Sequence, residues 1–206
     1  MELTPIQEDS LIEFINISFN RAANALSSLT NHRVSVNIPE IGILPIQDLT
    51  NNLSHLVGQE VAMINQIFSG PVTGNAVLMI SYPEAVRLSH LFSSQQTQSD
   101  FLSASDREAL TEVGNILLNA CLSTLGNILQ VHISFTVPRM QIDGVDGLMR
   151  SLVVDHTELR HCLVISSTFN LQERTVSGYM VVVMGLASLD RLIQSIDQFV
   201  LQIDAD

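Results

Sequence analysis

The sequence predicts an α+β fold of two pseudo-symmetric halves that share one antiparallel sheet, with a long helix from each half on one side. Each half has the pattern of a long amphipathic helix, a strand, an irregular segment, a strand pair and a short helix. Three pairs of identical residues are 99 positions apart: Glu13 and Glu112, Asn16 and Asn115, and Pro39 and Pro138. This internal duplication predicts a single domain over 1–206, made of repeats at about 1–95 and 101–206.

The first half begins with a long helix, predicted from Asp9 to about Thr30 because apolar residues recur there at intervals of three and four. Asp9 or Ser10 is expected to cap its N-terminus. Apolar and polar residues alternate over 33–38, which predicts a strand that Pro39 should end. The remaining elements of this half are two apolar strands and a short helix, predicted over 61–68, 76–81 and 83–92.

The second half follows the polar run 93–100 and repeats the same order of elements. A long helix is predicted over 105–129 and an alternating strand over 131–135, before a loop that contains two glycines. Further along, the offset between matching residues grows to 104, as between Gly74 and Gly178, which predicts an insertion in the middle of this half. Two strands and a last helix are predicted over 162–169, 178–184 and 188–200.

Charge and composition exclude several classes of protein. The chain carries 21 acidic residues against nine basic ones, for a net charge of −12, which predicts no binding to nucleic acid or to an anionic membrane surface. No apolar run is long enough to span a bilayer and the N-terminus lacks a signal-peptide pattern, so a soluble, cytoplasmic protein is expected. Cys121 and Cys162 lie in apolar runs and are not expected to form a disulfide, and Cys121, on the apolar face of a helix, is expected to be a small core residue. The histidines lack metal-ligand spacing, so no metal site is predicted.

Each long helix carries the motif Glu-x-x-Asn near its N-terminal end, as Glu13 with Asn16 and as Glu112 with Asn115. Residues three apart are neighbours on a helix surface, so each motif presents a carboxylate beside a carboxamide. One such pair alone is typical of solvated surface. Asparagine is unfavourable inside a helix, because its amide competes for backbone hydrogen bonds. Its presence at matching places in two diverged halves therefore predicts a functional role.

The spacing around each motif resembles the CheC/CheX/FliY family of chemotaxis phosphatases. The family signature is Asp or Ser, three residues, Glu, two residues, Asn, 22 residues and Pro. The first half matches every position, because Asp9 stands four residues before Glu13 and 22 residues separate Asn16 from Pro39. The second half departs from the signature once, with Glu108 in place of Asp or Ser. Two motifs in 206 residues resemble the two-site CheC type and not the shorter one-site CheX type.

The resemblance implies a hydrolase that removes the aspartyl-phosphate from a CheY-like response regulator. Glu13 and Glu112 would contact a lysine of the phosphorylated regulator, while Asn16 and Asn115 would enter its active site and position the attacking water. No cofactor on this chain is implied, since the regulator supplies Mg²⁺ for the developing charge. A CheD-type deamidase is a further partner that the resemblance leaves open. The alternative function is a non-catalytic module that docks response regulators or flagellar-switch components.

A docking regulator is expected to approach the two motifs unequally well. Gly114, inside the second motif, is expected to leave room beside Asn115, whereas Ile15 fills the matching place in the first motif. Phe19 lies one turn beyond Asn16, where a docking regulator is expected to meet it. The second site is therefore predicted to be the more accessible one, although the first matches the leading acidic position better.

Overall fold

The structure, a computed structural model, describes residues 3–30, 33–53, 59–92, 99–144, 147, 161–171 and 174–203. These residues form a mixed fold of helices and one antiparallel sheet, which confirms that part of the predicted fold class. The helices are α1 (Pro5–Thr30), α2 (Leu49–Asn52), α3 (Tyr82–Phe92), α4 (Ala104–Ile128) and α5 (Leu186–Ile203). The strands are β1 (Val34–Pro45), β2 (Val61–Ser69), β3 (Gly74–Ser81), β4 (Ser134–Phe135), β5 (Arg139–Asp143), β6 (His161–Leu171) and β7 (Arg174–Met184).

The sheet has the strand order β1-β6-β7-β3-β2, and the far edge of β2 pairs with both β4 and β5. Every pairing is antiparallel. The centre of the sheet joins β3 to β7, with Leu78 opposite Met180, so strands from the two predicted halves are hydrogen-bonded to each other. Strands from 1–95 and strands from 101–206 therefore belong to one sheet, with β3 and β7 next to each other at its centre.

The four longer helices, α1, α3, α4 and α5, pack on one face of this sheet. Successive side chains of a strand point to opposite faces, so alternate strand residues form two separate cores. Ile64 and Leu78 belong to the larger core under the helices, whereas Met63 and Met79 belong to a smaller core on the other face. No helix within the described residues is long and apolar enough to cross a membrane.

Helix α1 begins earlier than the sequence predicted. The backbone N–H of Thr4 donates to Oε1 of Gln7 at 2.9 Å, and the N–H of Gln7 donates to Oγ1 of Thr4 at 3.3 Å. This reciprocal pair is a capping box, and Pro5 suits the first helical position because its missing N–H needs no partner. The prediction of Asp9 or Ser10 as the cap is therefore wrong, since both residues lie inside the helix.

Strand β1 also continues past Pro39, which was predicted to end it, and reaches Pro45. Its pairing with β6 shifts register between Asn37 and Glu40, so Pro39 lies within a local irregularity of the ladder. Proline cannot donate a ladder hydrogen bond, and edge strands and bulges tolerate that loss. Because β1 is an edge strand with a register shift at this point, the proline interrupts the ladder without ending the strand.

The segment after α4 differs from the prediction as well. Only Ser134 and Phe135 of the predicted strand pair with β2, whereas Arg139–Asp143, predicted as loop, forms β5 and pairs with the same strand. Exposed and half-buried residues alternate along β5 with the two-residue period of a strand. The prediction overlooked this alternation. The break between β4 and β5 leaves residues 136–138 beside β2 without strand pairing.

Candidate functional site

Both Glu-x-x-Asn motifs lie on the surface of the helical layer, within the N-terminal halves of α1 and α4. The side chains of Glu13 and Glu112 are exposed, and those of Asn16 and Asn115 are half-buried. On each helix the carboxylate and the carboxamide are therefore neighbours on a side that solvent reaches. A protein partner has access to both pairs.

Helices α1 and α4 pack against each other, and the hydroxyls of Ser18 and Thr124 form a hydrogen bond between them. Ser18 lies two residues beyond Asn16, whereas Thr124 lies nine residues beyond Asn115, or about 14 Å along the axis of α4. The two asparagines thus stand at different distances from this contact. The motifs form two separate candidate sites on one helix pair.

In the second motif, the Asn115 carboxamide is held by neighbouring side chains. Nδ2 of Asn119, one turn further along α4, donates to Oδ1 of Asn115 at 2.9 Å. Nε2 of Gln66 in β2 donates to Oδ1 of Asn119 at 2.9 Å and to the carbonyl oxygen of Thr136 at 2.9 Å. We call Asn115, Asn119, Gln66 and the Thr136 carbonyl the amide relay. It connects the exposed motif to a buried strand.

The relay was missed in the sequence, although two signals indicated it. Asn119 follows Asn115 by four residues and therefore lies on the same helix face. Gln66 is a polar residue inside an otherwise apolar strand, where an unpartnered amide is costly. The hydrogen bond between Gln66 and Asn119 depends on how α4 packs across β2, and the spacing of residues along the chain does not specify that packing.

The first motif has a different environment. Asn20 stands four residues after Asn16, as Asn119 does after Asn115, but its side chain is exposed. Within the described part of the chain, neither the Asn16 nor the Asn20 side chain makes a hydrogen bond. The Asn16 carboxamide therefore lacks the hydrogen bond that Asn119 donates to Asn115 in the second motif.

The prediction that Gly114 leaves room at the second motif and that Phe19 obstructs the first is wrong. Gly114 is buried against β2, and a Cβ atom at this position would lie 2.6 Å from Cγ2 of Ile64. Ile15 and Phe19 are both fully buried in the core under α1. All three residues face inward, so Gly114 does not open space beside Asn115, and Phe19 cannot meet a docking partner.

The outer face of each motif is acidic. Asp9 and Glu13 are both exposed on α1, four residues apart, and Glu108 and Glu112 repeat this arrangement on α4. Among the described residues, none of these four carboxylates forms an ion pair. Like charges four residues apart destabilise a helix by about 0.2–0.5 kcal/mol, so a cationic group from a partner would relieve this repulsion.

Other candidate chemistry is not supported. Burial raises the pKa of the Cys121 thiol to about 12, and burial with the nearby charge of Asp48 raises the pKa of Cys162 to about 12, so both thiols are protonated and poor nucleophiles. Both cysteines are free and buried, which confirms the prediction of Cys121 as a core residue. Where the chain is described, no three histidine, cysteine, aspartate or glutamate side chains group together as metal ligands.

The chain matches no protein-family model. Two curated relatives are similar to it in sequence. CheY-P phosphatase CheC of Bacillus subtilis strain 168 is 22% identical over 169 residues, which cover 79% of each protein. Flagellar motor switch phosphatase FliY of the same organism is 20% identical over 143 residues, or 68% of this chain. That match spans only 37% of FliY.

Solved structures share the fold. Thermotoga maritima FliY superposes with a TM-score of 0.75 at 17% identity, over 96% of this chain and 99% of that one. The FliM middle domain of H. pylori superposes with a TM-score of 0.63 at 8% identity, over 94% and 99% of the two chains. At these identities the likeness concerns the fold alone, and the sequence relatives carry the family resemblance.

Proposed function

We propose that this chain, as a member of the CheC/CheX/FliY family, hydrolyses the aspartyl-phosphate of a CheY-like response regulator. The observation that carries the proposal is an Asn carboxamide beside an exposed glutamate on each long helix, held in place by the amide relay in the second motif. The relative named a CheY-P phosphatase supports this substrate class, and the one named a flagellar motor switch phosphatase supports phosphatase activity. The proposed setting is the cytoplasm, where chemotaxis regulators act.

In the proposed reaction, a water oxygen attacks the phosphorus atom and the bond between phosphorus and the aspartyl oxygen breaks. The products are inorganic phosphate and the free aspartate of the regulator. Asn16 or Asn115 holds the attacking water, since a carboxamide both accepts and donates hydrogen bonds. An amide also adds no negative charge beside the phosphoryl group and does not titrate near neutral pH. Holding the water in line supplies positioning, which lowers the barrier by several kcal/mol.

Glu13 and Glu112 dock the regulator in this scheme by contacting a lysine. Their exposed carboxylates, each with an acidic neighbour one turn earlier, present negative charge where that lysine would approach. The regulator would supply Mg²⁺, which would stabilise charge on the phosphoryl oxygens. The chain's own role is therefore docking and water positioning.

The two-site form of the proposal depends on the internal duplication. The strand order supports it: exchanging β2 with β6, β3 with β7, and β1 with β4 and β5 reverses the order and leaves it otherwise unchanged. A pseudo-twofold axis between β3 and β7 would produce this arrangement. The proposed repeats, at about 1–95 and 101–206, each contribute one motif.

A non-catalytic docking module is the second candidate. The FliM middle domains support it, because they share the fold, and one solved example is described as a FliG–FliM complex. Under this alternative, the same acidic helix surfaces bind a response regulator or a flagellar-switch component without hydrolysis. A CheD-type deamidase is the further partner that the sequence resemblance leaves open.

Dephosphorylation of a purified, phosphorylated CheY-like regulator distinguishes the two functions. The intact chain should accelerate phosphate release, and the Asn16→Ala, Asn115→Ala double variant should lose that acceleration. Asn24→Ala with Asn127→Ala is the matched control, because both asparagines are exposed on the same helices outside the motifs. Regulator binding without any acceleration by the intact chain would favour the docking module and overturn the phosphatase proposal.

A further inference from the structure

We infer that Asn119 and Gln66 are positioning residues that fix the orientation of the Asn115 carboxamide in the second site. The inference rests on the proposed phosphatase function and deepens it. It assigns a role to a buried strand residue that does not touch the regulator, and it makes the two sites mechanistically different.

A backbone carbonyl determines which end of each amide in the relay donates a hydrogen bond and which end accepts one. The carbonyl of Thr136 can only accept a hydrogen bond, so Nε2 of Gln66 must face it. The same nitrogen then donates to Oδ1 of Asn119, which turns Nδ2 of Asn119 toward Oδ1 of Asn115. Oδ1 of Asn115 is thereby partly occupied, and both N–H groups of its amide are left for the regulator's phosphoryl oxygens or the water.

Thr136 is itself fixed on β2. Its N–H donates to the carbonyl of Ile67 at 2.9 Å, and the N–H of Ile67 donates to Oγ1 of Thr136 at 3.0 Å. Thr136 lies in the break between β4 and β5, where its carbonyl makes no ladder pairing. The interruption of the sheet edge thus provides the acceptor that orients Gln66.

Gln66 is buried, and only one end of its side-chain amide is hydrogen-bonded. Its side chain is 1% exposed, and its Oε1 atom has no hydrogen-bond partner within the described structure. A buried polar atom without a partner destabilises the fold, whereas the Nε2 group of the same amide satisfies the Thr136 carbonyl and Oδ1 of Asn119. A glutamine here is therefore explained by what its Nε2 group does for these two acceptors.

The first site lacks the corresponding chain of hydrogen bonds. Gln66 pairs with Ala76 across β2 and β3, and the matching pair across β6 and β7 is Ile165 with Met180. Ile165 is apolar and fully buried, so it cannot donate to Asn20. Ordering the Asn16 side chain on regulator binding therefore costs entropy, whereas the Asn115 side chain is already oriented by a hydrogen bond.

The test isolates the second site in an Asn16→Ala chain. Asn119→Asp keeps the size of the side chain and its acceptor for Gln66, but it removes the N–H donated to Asn115. Gln66→Met keeps the length of the side chain and removes its donor. Each change should lower kcat by up to about 100-fold, the cost of a 1 Å displacement at a reacting centre, with KM nearly unchanged because Glu112 still docks the regulator.

Asn20→Asp is the matched control, since it introduces the same charge at the corresponding exposed position of α1. In this background it should leave kcat and KM unchanged. Asn119→Asp should also have no further effect once Asn115 is alanine, because it acts through that residue. The melting temperature of Gln66→Met is measured in parallel, and its kcat is expressed per folded molecule. A purely structural role instead predicts a lower melting temperature and an unchanged kcat per folded molecule.

The outcomes separate the inference from the proposed function. If Asn115→Ala removes activity while Asn119→Asp and Gln66→Met keep full kcat, the inference is overturned and the phosphatase function stands. If the unmodified chain does not accelerate phosphate release, both are overturned. Side-chain amide NMR of the free protein gives a readout without catalysis: Asn119→Asp should shift the Asn115 Nδ2 resonances, and unchanged resonances would refute the relay.

Discussion

Gly114 lies directly against Ile64, so that a Cβ atom at position 114 would be 2.6 Å from Cγ2 of the isoleucine. This contact brings the backbone of α4 close to β2 beside the second motif. Gln66 stands two residues beyond Ile64 on the same face of the strand, so the close approach is what places it within reach of Asn119. A glycine in the motif therefore serves helix–sheet packing.

Gly114→Ala should lower the free energy of unfolding by about 1–3 kcal/mol, because the added methyl group overpacks the core against Ile64. Urea denaturation measures the change. Gly42→Ala is the control, since nothing lies within 4 Å of a Cβ atom there. Equal stability of Gly114→Ala and the parent chain would contradict the close contact and favour open space at this position.

Asn115→Ala should reduce phosphatase activity more than Asn16→Ala does, by a factor on the order of ten, since only Asn115 is pre-oriented by neighbouring amides. Comparing the two single variants on one phosphorylated regulator measures the difference. Equal losses of activity would mean that the orientation of the asparagine amide in the unbound protein does not limit the rate of phosphate release at either site.

Glu13→Gln combined with Glu112→Gln should weaken regulator binding by about 0.2–1 kcal/mol at each site, the range of exposed ion pairs. The effect should shrink as salt is raised, because salt screens exposed charges. Binding titrations at low and high ionic strength provide the measurement. Glu60→Gln, a change at an exposed glutamate outside the motifs, is the control and should bind as the parent does.

Ser103→Ala should cost about 1 kcal/mol of stability at neutral pH, because Ser103 and Asp106 form the capping box at the start of α4. Partial burial opposes ionisation of Asp106, but the hydrogen bonds from Ser103, the charge of His90 and a hydrogen bond with Ser89 together lower its pKa below the ordinary 3.8. The ionised Asp106 carboxylate therefore stabilises the fold at pH values above 3.8, its ordinary pKa. This contribution to stability is lost as the pH falls through the lowered pKa of the folded protein.

The difference in unfolding free energy between Ser103→Ala and the parent chain should therefore be largest near neutral pH and shrink below pH 3.8. Urea denaturation across this pH range tests it. A difference that grows on acidification would show that the Asp106 carboxylate is not stabilised by the cap.

Cys121 and Cys162 should stay unreactive toward thiol reagents in the native protein, because burial raises the pKa of each to about 12. Both thiols should react after unfolding in denaturant. Fast modification of either cysteine in native buffer would show that its helix or strand opens readily.

The periodicity of the sequence was sufficient to predict the long helices, the central strands and the antiparallel sheet, because apolar spacing records which side of each element is buried. The prediction from sequence failed where a local pattern is compatible with two structures. Pro39 normally ends a strand, but on an edge strand with a register shift the ladder continues beyond it. The capping box at Thr4 and Gln7 was overlooked in favour of Asp9, although the spacing of its residues is visible in the sequence.

The sequence by itself determined the identity of the candidate site, since Glu-x-x-Asn at helical spacing places carboxylate and carboxamide on one helix face whatever the rest of the chain does. Only the tertiary structure decided the environment of each asparagine. Gly114 and Phe19 face the core because of the rotation of their helices over the sheet. Gln66 reaches Asn119 because β2 passes beneath α4. Hydrogen bonds between residues 53 positions apart depend on that packing, and no local pattern along the chain encodes it.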